Sequence, residues 1–213
     1  MKILKYSHKN KNLKIIVFDL DGVSLNSKTN MRLAWNFTKK KNNLNTPFEK
    51  YFANIGTPFI NILKKIKINK NQLNIQKSFK EGSLKNINKI RLYPNVRKVL
   101  KNLKEKKYLV GILTSKDKKR SLKILKKFKI FNFFDFIECP NQMIKGKPFP
   151  DHLLKIMKNY SVKPKNVTYV GDMYSDYLTA KRAKVNFIFA KYGYGSVKKT
   201  NKIKKIEELL KIF

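Results

Sequence analysis

The amino-acid sequence predicts an α/β fold in which helices cover both faces of a parallel sheet and an α-helical cap is inserted after the first strand. Short apolar runs of strand length alternate along most of the chain with segments whose apolar residues recur at helical spacing. Strands that alternate with helices are typical of a parallel sheet buried on both faces. The length of 213 residues fits one core domain with a small insertion.

Five apolar runs are predicted as the strands of this sheet. The first ends at Phe18 and is rich in β-branched residues, which favours a buried strand. The third run is the weakest of the five. In chain order the predicted strands cover residues 14–18, 108–113, 136–139, 167–171 and 186–190.

Helices are predicted between these strands. A helix that begins near Pro94 carries one apolar face, formed by Val96, Val99, Leu100 and Leu103. Further helices are expected around residues 122–128, from residue 150 onwards, and over residues 174–184, and a Lys-rich helix is expected to close the chain.

The region between the first and second strands carries no strand pattern. Leu33 and Phe37, and later Ile60 and Leu63, recur at helical spacing, and prolines divide the region into several helices. We therefore expect this segment to be a separate helical cap. The predicted division is a core of residues 1–27 and 93–213 and a cap of residues 28–92.

The chain is strongly basic, with 50 Lys and Arg against 13 Asp and Glu and a net charge of +37. Such a charge suggests a nucleic-acid-binding protein. However, 45 of these residues are Lys and 5 are Arg, whereas proteins that read nucleic acids favour Arg because its planar fork contacts bases and phosphates in pairs. We interpret the charge as a composition typical of an AT-rich genome and expect no specific nucleic-acid partner.

Other features of the composition restrict the class of protein. Cys139 is the single cysteine, which excludes a disulfide framework and a zinc site built from several cysteines. No apolar run approaches the roughly 18–20 residues that span a bilayer, and residues 1–14 do not resemble a signal peptide. We expect a cytoplasmic protein without a membrane partner. His8 and His152 lie outside the motifs below, and we expect them on the surface or on a helix.

Aspartates follow two of the predicted strands. The chain has seven Asp, and four of them are Asp19, Asp21, Asp172 and Asp176. Each segment alone also fits a turn or a helix N-cap. Ligands of open parallel sheets bind at the carboxyl ends of the strands, and carboxylates gathered there repel one another unless a cation neutralises them. Hard oxygen ligands suit Mg²⁺, so the pattern predicts a magnesium site.

Two further segments fit the same edge of the sheet. Thr114 and Ser115 follow the second strand and offer hydroxyl groups to a phosphate oxygen, although either residue also fits a helix cap. Lys147 precedes a loop that contains Pro148 and Pro150. In so Lys-rich a chain, its position in this loop is more informative than its residue type.

In this order, the segments Asp19-Leu20-Asp21-Gly22, Thr114, Lys147-Pro148-Phe149-Pro150-Asp151 and Gly171-Asp172-Met173-Tyr174-Ser175-Asp176 resemble the haloacid dehalogenase superfamily. The chain is similar to the branch with a helical cap after the first motif, and within that branch to phosphoglycolate phosphatases and their relatives. The segment Tyr192-Gly193-Tyr194-Gly195 resembles the aromatic-glycine loop of those members. The resemblance implies a Rossmann-like core.

The resemblance also implies a role for each matching residue. Asp19 would be the nucleophile that forms an aspartyl-phosphate, and Asp21 would be the general acid and base. Mg²⁺ would be held by the Asp19 carboxylate, the Asp21 backbone carbonyl and Asp172. Thr114, Ser115 and Lys147 would bind the phosphoryl oxygens, with Thr114 and Lys147 also assisting catalysis, and Asp176 would orient Lys147 or a metal-bound water.

Three functions remain open at the level of the sequence. The leading hypothesis is a Mg²⁺-dependent phosphatase acting on a small phosphorylated metabolite, such as phosphoglycolate or a sugar phosphate. A phosphomutase of the same superfamily would share every motif. A basic nucleic-acid-binding protein on this scaffold is the third reading. As the superfamily is known, the presence of Asp21 favours phosphoryl transfer over carbon–halogen cleavage. Either a monomer or a homodimer fits.

Overall fold

The computed structural model describes residues 13–213, so the prediction about a signal peptide and the expectation for His8 lie outside the described residues. Within residues 13–213, six strands form one parallel sheet in the order β5-β4-β1-β6-β7-β8. These strands are β1 (Ile15–Phe18), β4 (Leu109–Leu113), β5 (Phe136–Glu138), β6 (Val167–Gly171), β7 (Asn186–Ala190) and β8 (Lys202–Ile203). The predicted fold class is confirmed, and the five predicted strands agree with the observed ones to within about one residue.

Helices cover both faces of the sheet because successive strand residues point to opposite sides. Ile16 and Phe18 of β1 pack with one set of helices, and Ile15 and Val17 pack with another. The first set is α5 (Val96–Glu105), α6 (Lys118–Lys127) and α9 (Leu209–Ile212), and the second is α7 (Asp151–Tyr160) and α8 (Tyr174–Ala183). The all-apolar sequence of β1 is explained by this burial on both faces.

Four helices lie between the first two strands of the sheet. They are α1 (Lys28–Asn42), α2 (Phe48–Phe52), α3 (Phe59–Lys65) and α4 (Gln72–Lys85), and they share an apolar core of their own that includes Trp35, Tyr51 and Leu63. Met173 and Tyr194 from the sheet side pack against this core. The exact boundaries between core and cap remain a prediction.

A pair of short antiparallel strands, absent from the elements predicted above, flanks these helices. It is formed by β2 (Leu25–Asn26) and β3 (Arg91–Leu92), which pair antiparallel. Each strand has two residues, too short for a period-two pattern to be recognised in sequence. The pairing brings the two ends of the helical insertion together.

The closing segment differs from the predicted Lys-rich helix. It consists of β8, a 3-10 turn at Ile206–Glu208 and the four-residue α9. Ile203, Ile206 and Leu209 are buried against the sheet. Apolar residues three positions apart are typical of a helix, but here one lies in a strand, one in a 3-10 turn and one in a short helix. Across residues 13–213, no helix is both long and apolar enough to cross a membrane.

Candidate active site

Three neighbouring strands bring the motif residues to one edge of the sheet. Because β1 lies between β4 and β6, the residues that follow these strands, Asp19, Thr114 and Asp172, lie side by side. The Asp19 amide donates to the Val170 carbonyl at 2.9 Å, which continues the ladder by one residue and fixes the backbone of Asp19. The carboxyl ends of parallel strands therefore carry the polar cluster, as expected for an open α/β sheet.

The Lys147 ammonium connects two of the four aspartates. Lys147 is 2% exposed, and its Nζ lies 2.9 Å from Asp19 Oδ1 and 2.7 Å from Asp176 Oδ1. The loop between β5 and α7 carries Lys147, and its peptide bond to Pro148 is cis. Burial opposes the charge of Lys147, but the carboxylates of Asp176 and Asp19 outweigh it and raise the pKa of this ammonium.

The Asp176 carboxylate accepts four hydrogen bonds, two at each oxygen, which occupy its acceptor positions. Its Oδ1 accepts from Lys147 and from the Tyr169 hydroxyl at 2.9 Å. Its Oδ2 accepts from the backbone amides of Asp172 at 3.1 Å and Met173 at 3.0 Å, which places Asp176 as a capping residue in the first turn of α8. This geometry fits a residue that positions Lys147 and Asp172.

Asp172 has one oxygen that faces no donor. Its Oδ2 accepts from the Tyr194 amide at 2.8 Å, whereas its buried Oδ1 has no hydrogen-bond partner among residues 13–213. A Cβ on Gly22 would lie 2.0 Å from Asp172 Oδ2, and one on Gly193 would lie 2.3 Å from Asp172 Cβ. The two glycines therefore let the backbone close tightly around this carboxylate.

The carboxylates fit a divalent metal ion. Oxygen atoms of Asp19, Asp172 and Asp176 lie within 4.8 Å of one another. Burial raises the pKa of Asp19 to about 7, against the influence of Lys147 and with a contribution from Asp176, and burial together with Asp176 and Asp19 raises the pKa of Asp172. A cation would keep both carboxyls ionised. Because Asp176 is saturated with donors, Asp19 and the free oxygen of Asp172 fit the ion best.

Asp21 is not part of the group formed by the other three carboxylates. Its Oδ2 lies 3.0 Å from Lys116 Nζ, and its Oδ1 accepts from the Ser27 hydroxyl at 2.6 Å. The Tyr194 hydroxyl in turn accepts from the Ser27 amide at 2.6 Å. Asp21 is thus held from two sides beside Asp19, with its carboxylate directed to the space beneath the cap. A metal-ligand role for its backbone carbonyl remains a prediction.

The two hydroxyl residues after β4 differ in their surroundings. Thr114 is buried, and its Oγ1 accepts from the Lys116 amide at 3.2 Å, which leaves its O–H available to a phosphoryl oxygen. The Ser115 hydroxyl donates to the Gly56 carbonyl at 3.2 Å, a carbonyl that also accepts from Ser175 Oγ at 2.9 Å. Ser115 therefore links the core to the helical insertion, and its phosphate-binding role remains a prediction.

A cavity of about 70 Å³ separates these residues from the helical insertion. Asp19, Asp21, Thr114, Ser115 and Lys116 line it from the sheet side together with Arg120. From the helical side its lining includes Tyr51, Thr57, Phe59 and Phe79. The carboxylates of Asp19 and Asp21 thus lie beside a small space with a largely apolar roof.

Sequence reasoning missed several residues of this site. Lys116 directly follows Thr114 and Ser115, but one Lys among 45 carries no signal. Arg120 and Thr57 lie outside every motif. Tyr169 lies within a strand whose apolar pattern predicted burial, while its hydroxyl contact with Asp176 depends on the approach of α8. His152, expected on the surface or on a helix, is a buried residue of α7 whose Nδ1 lies 2.8 Å from Glu138 Oε2.

Comparisons with known proteins identify a family and relatives of similar sequence. Residues 16–190 match the family model described as haloacid dehalogenase-like hydrolase. A phosphoglycolate phosphatase from Aquifex aeolicus is 28% identical over 188 residues, which cover 85% of this chain and 86% of that protein. A pyrophosphatase from Oceanobacillus iheyensis is 26% identical over 193 residues, covering 90% of this chain and 88% of that protein.

Solved structures share the fold. The crystal structure of a protein described as a predicted phosphoglycolate phosphatase, from Haemophilus somnus, superposes with a TM-score of 0.82 at 25% identity. The superposition covers 94% of this chain and 98% of the other. The likeness therefore extends over the sheet and the helical insertion together.

Proposed function

The chain belongs to the haloacid dehalogenase-like hydrolases, and we propose that it is a Mg²⁺-dependent phosphatase that hydrolyses a small phosphate monoester through an aspartyl-phosphate on Asp19. One observation carries the proposal: Asp19 lies in contact with the Lys147 ammonium and within a group of carboxylates that includes the unpartnered oxygen of Asp172. Relatives named phosphoglycolate phosphatase and pyrophosphatase support it.

Asp19 is the nucleophile in this proposal. One of its carboxylate oxygens bonds to phosphorus while the bond from phosphorus to the leaving oxygen breaks. A carboxylate approaches a phosphate dianion only when cations offset the repulsion, and Lys147 at 2.9 Å from Asp19 supplies one such charge. The Thr114 hydroxyl, beside Asp19 at the end of β4, donates to a phosphoryl oxygen.

Asp21 is the general acid and base in this proposal. It gives a proton to the leaving oxygen as the first bond breaks, and it then takes a proton from the water that attacks phosphorus. That second attack breaks the bond from phosphorus to Asp19 and releases inorganic phosphate. Lys116 and Ser27, which contact the two oxygens of Asp21, hold its carboxyl toward the cavity during both steps.

Mg²⁺ would be held by the Asp19 carboxylate, the Asp21 backbone carbonyl and Asp172. When bound, the ion neutralises charge on the phosphoryl group and on Asp19. The unpartnered oxygen of Asp172 and the close approach of Gly22 and Gly193 to that carboxylate support this assignment. Asp176 keeps Asp172 in position through the Asp172 amide.

The cavity favours a small substrate. Its volume of about 70 Å³ is well below the roughly 300–1,000 Å³ of pockets for drug-sized ligands. Phosphoglycolate and small sugar phosphates are therefore the candidates we favour. A cytoplasmic location and a monomeric or homodimeric state remain predictions.

Phosphate release from a panel of metabolites, with Mg²⁺ and with EDTA, tests the function. The panel contains phosphoglycolate, sugar phosphates, nucleotides and pyrophosphate. We expect Mg²⁺-dependent release that Asp19→Asn abolishes, while Glu105→Gln, the same chemical change at an exposed ion pair with Lys101, leaves it intact. Full activity of Asp19→Asn would overturn the mechanism. Conversion of a hexose 1-phosphate to its isomer without net phosphate would instead identify a phosphomutase.

A further inference from the structure

The cavity is lined by a buried guanidinium whose hydrogen-bond donors are only partly satisfied. Arg120 lies in the first turn of α6, is 7% exposed and lines the cavity together with Asp19 and Asp21. Its Nε pairs with Asp117. Its Nη1, in contrast, is buried and has no hydrogen-bond partner within the described part of the chain. An unpartnered buried donor on a charged group is costly.

A second residue that lines the same cavity, on the side of the helical insertion, also carries an unpartnered buried hydroxyl. Thr57, between α2 and α3, is 7% exposed, and its Oγ1 has no hydrogen-bond partner among residues 13–213. Arg120 also crosses from the sheet side to the helical insertion, since its guanidinium lies 5.5 Å from the centre of the Phe79 ring of α4. The two donors therefore belong to the two walls of one cavity.

The chemistry of these donors defines the missing partner. A guanidinium donates only, and its planar fork matches the two oxygens of a carboxylate or of a phosphoryl group. The reacting phosphoryl group is already served by Lys147, Thr114 and the metal site. The group that Arg120 fits is therefore a second anion, carried by the part of the substrate that leaves.

We propose that Arg120 and Thr57 form a second anion-binding site, which selects phosphate compounds that carry another negative group over phosphate esters of neutral alcohols. The proposal rests on the proposed phosphatase function of the same cavity. Because one donor comes from α6 and the other from the helical insertion, the second anion also draws these two walls together. Arg120 and Thr57 then determine specificity, while Asp19 and Asp21 carry out the reaction.

A matched pair of substrates tests this site. Phosphoglycolate and 2-hydroxyethyl phosphate have nearly the same size and differ in a carboxylate replaced by a neutral alcohol, and pyrophosphate offers a phosphoryl group as the second anion. We expect Arg120→Met to lower kcat/KM for phosphoglycolate by about 10- to 100-fold, the loss typical of a charged hydrogen bond, and to change kcat/KM for 2-hydroxyethyl phosphate by less than about threefold. An equal loss of pyrophosphate turnover would show that a second phosphoryl group is also bound.

Two further variants distinguish loss of the proposed contact from general misfolding. Thr57→Val keeps the shape of the side chain and removes the hydroxyl, and we expect it to lower kcat/KM for the anionic substrates alone, by about fivefold. Arg97→Met is the matched control, because Arg97 is an exposed arginine whose Nη2 donates to the carbonyl of Phe128, just after the C-terminal end of α6. Its loss should leave kcat/KM for both substrates unchanged.

Binding distinguishes failure of this site from failure of the proposed function. Calorimetry in the Asp19→Asn background measures the affinity of phosphoglycolate and 2-hydroxyethyl phosphate without turnover. Tighter binding of phosphoglycolate that disappears on adding Arg120→Met supports the site, even if no compound is hydrolysed by the wild type. Equal affinity for the two probes, or an equal loss for both in Arg120→Met, overturns it, even if the wild type is an active phosphatase.

Discussion

The Lys116 ammonium lies 3.0 Å from Asp21 Oδ2, and both side chains are largely withdrawn from solvent. On the other side of the same carboxylate, Ser27 donates at 2.6 Å. The proposed acid and base of the reaction is therefore fixed by two residues that come from different parts of the chain, one after β4 and one before α1. This arrangement assigns Lys116 a positioning role.

Replacing Lys116 tests that role. We expect Lys116→Met to slow hydrolysis of an alkyl phosphate by about 10- to 100-fold, because general acid catalysis contributes roughly 10²–10⁴-fold and Asp21 would keep one of its two partners. The loss should be much smaller for 4-nitrophenyl phosphate, whose leaving group needs little protonation. Steady-state rates on the two substrates give the comparison, with Lys119→Met on the exposed side of α6 as control. Equal losses on both substrates would contradict the assignment.

Lys147 should matter for stability as well as for activity. In Lys147→Met, Asp19 and Asp176 would remain buried without their shared cation, and breaking a buried ion pair in this way costs about 3–5 kcal/mol. The cost should be larger at pH 8 than at pH 5, because a carboxyl that is protonated at low pH no longer needs the cation. Urea unfolding at the two pH values measures it.

The neighbouring Lys145 provides the control for this experiment. Lys145 is exposed and lies over the Phe149 ring, so Lys145→Met should change the free energy of unfolding little at either pH. A pH-independent loss in Lys147→Met would mean that packing of the lysine stem, rather than its charge, stabilises the site.

The raised pKa values of Asp19 and Asp172 predict how metal and protons compete. A carboxyl whose pKa is higher in the folded than in the unfolded protein binds its proton more tightly when folded. The free energy of unfolding of the metal-free protein should therefore fall as pH rises. The decrease begins near pH 4, the pKa of Asp in the unfolded chain, and continues to about pH 7, the pKa of Asp19 in the folded protein. Mg²⁺ should stabilise the protein more at pH 8 than at pH 5.5, since at the lower pH it must displace protons.

Thermal unfolding in EDTA, compared between wild type and Asp19→Asn, isolates the contribution of Asp19. Because Asn resembles the neutral carboxyl, we expect the variant to become more stable relative to wild type between pH 5 and pH 8, by several degrees in Tm at pH 8. Such a gain in stability at the cost of activity is common for catalytic residues. A constant difference in Tm across this pH range would contradict the raised pKa.

Gly193 should be required for metal binding. A Cβ at this position would lie 2.6 Å from Asp172 Oδ2 and 2.7 Å from the Gly22 carbonyl oxygen, so Gly193→Ala should displace the carboxylate and weaken Mg²⁺ binding by about 10- to 100-fold, the usual effect of disturbing the surroundings of a metal ligand. Calorimetric titration of Mg²⁺ measures the affinity.

Gly82→Ala is a matched control for this prediction. In α4, a Cβ on Gly82 would lie 3.0 Å from Phe37 Cδ1 and 3.1 Å from Ala34 Cα, so the same substitution also meets a tight contact, but one remote from the carboxylates. We expect it to alter the free energy of unfolding and to leave Mg²⁺ affinity unchanged. Equal effects of the two variants on affinity would assign the loss to general destabilisation.

Local sequence was sufficient to locate the strands and the aspartates that follow them. Residues 15–18 are apolar at every position, which indicates burial on both faces, and the polar residue that ends such a run lies at the edge of the sheet where ligands bind. The antiparallel pair of β2 and β3 and the short β8 were missed for the converse reason. Strands of two residues exist through their pairing partners and leave no periodic signal.

The sequence by itself thus determined the fold class and the order of the carboxylates along the chain, because apolar periodicity is a local property. The tertiary structure decided which charges meet. Lys116 contacts Asp21, although nothing in the local sequence distinguishes this lysine from the other 44. Arg120 and Thr57, which are 63 positions apart, line the same cavity. Contacts between residues about 60 to 100 positions apart depend on how strands and helices pack, and that packing is absent from any local pattern.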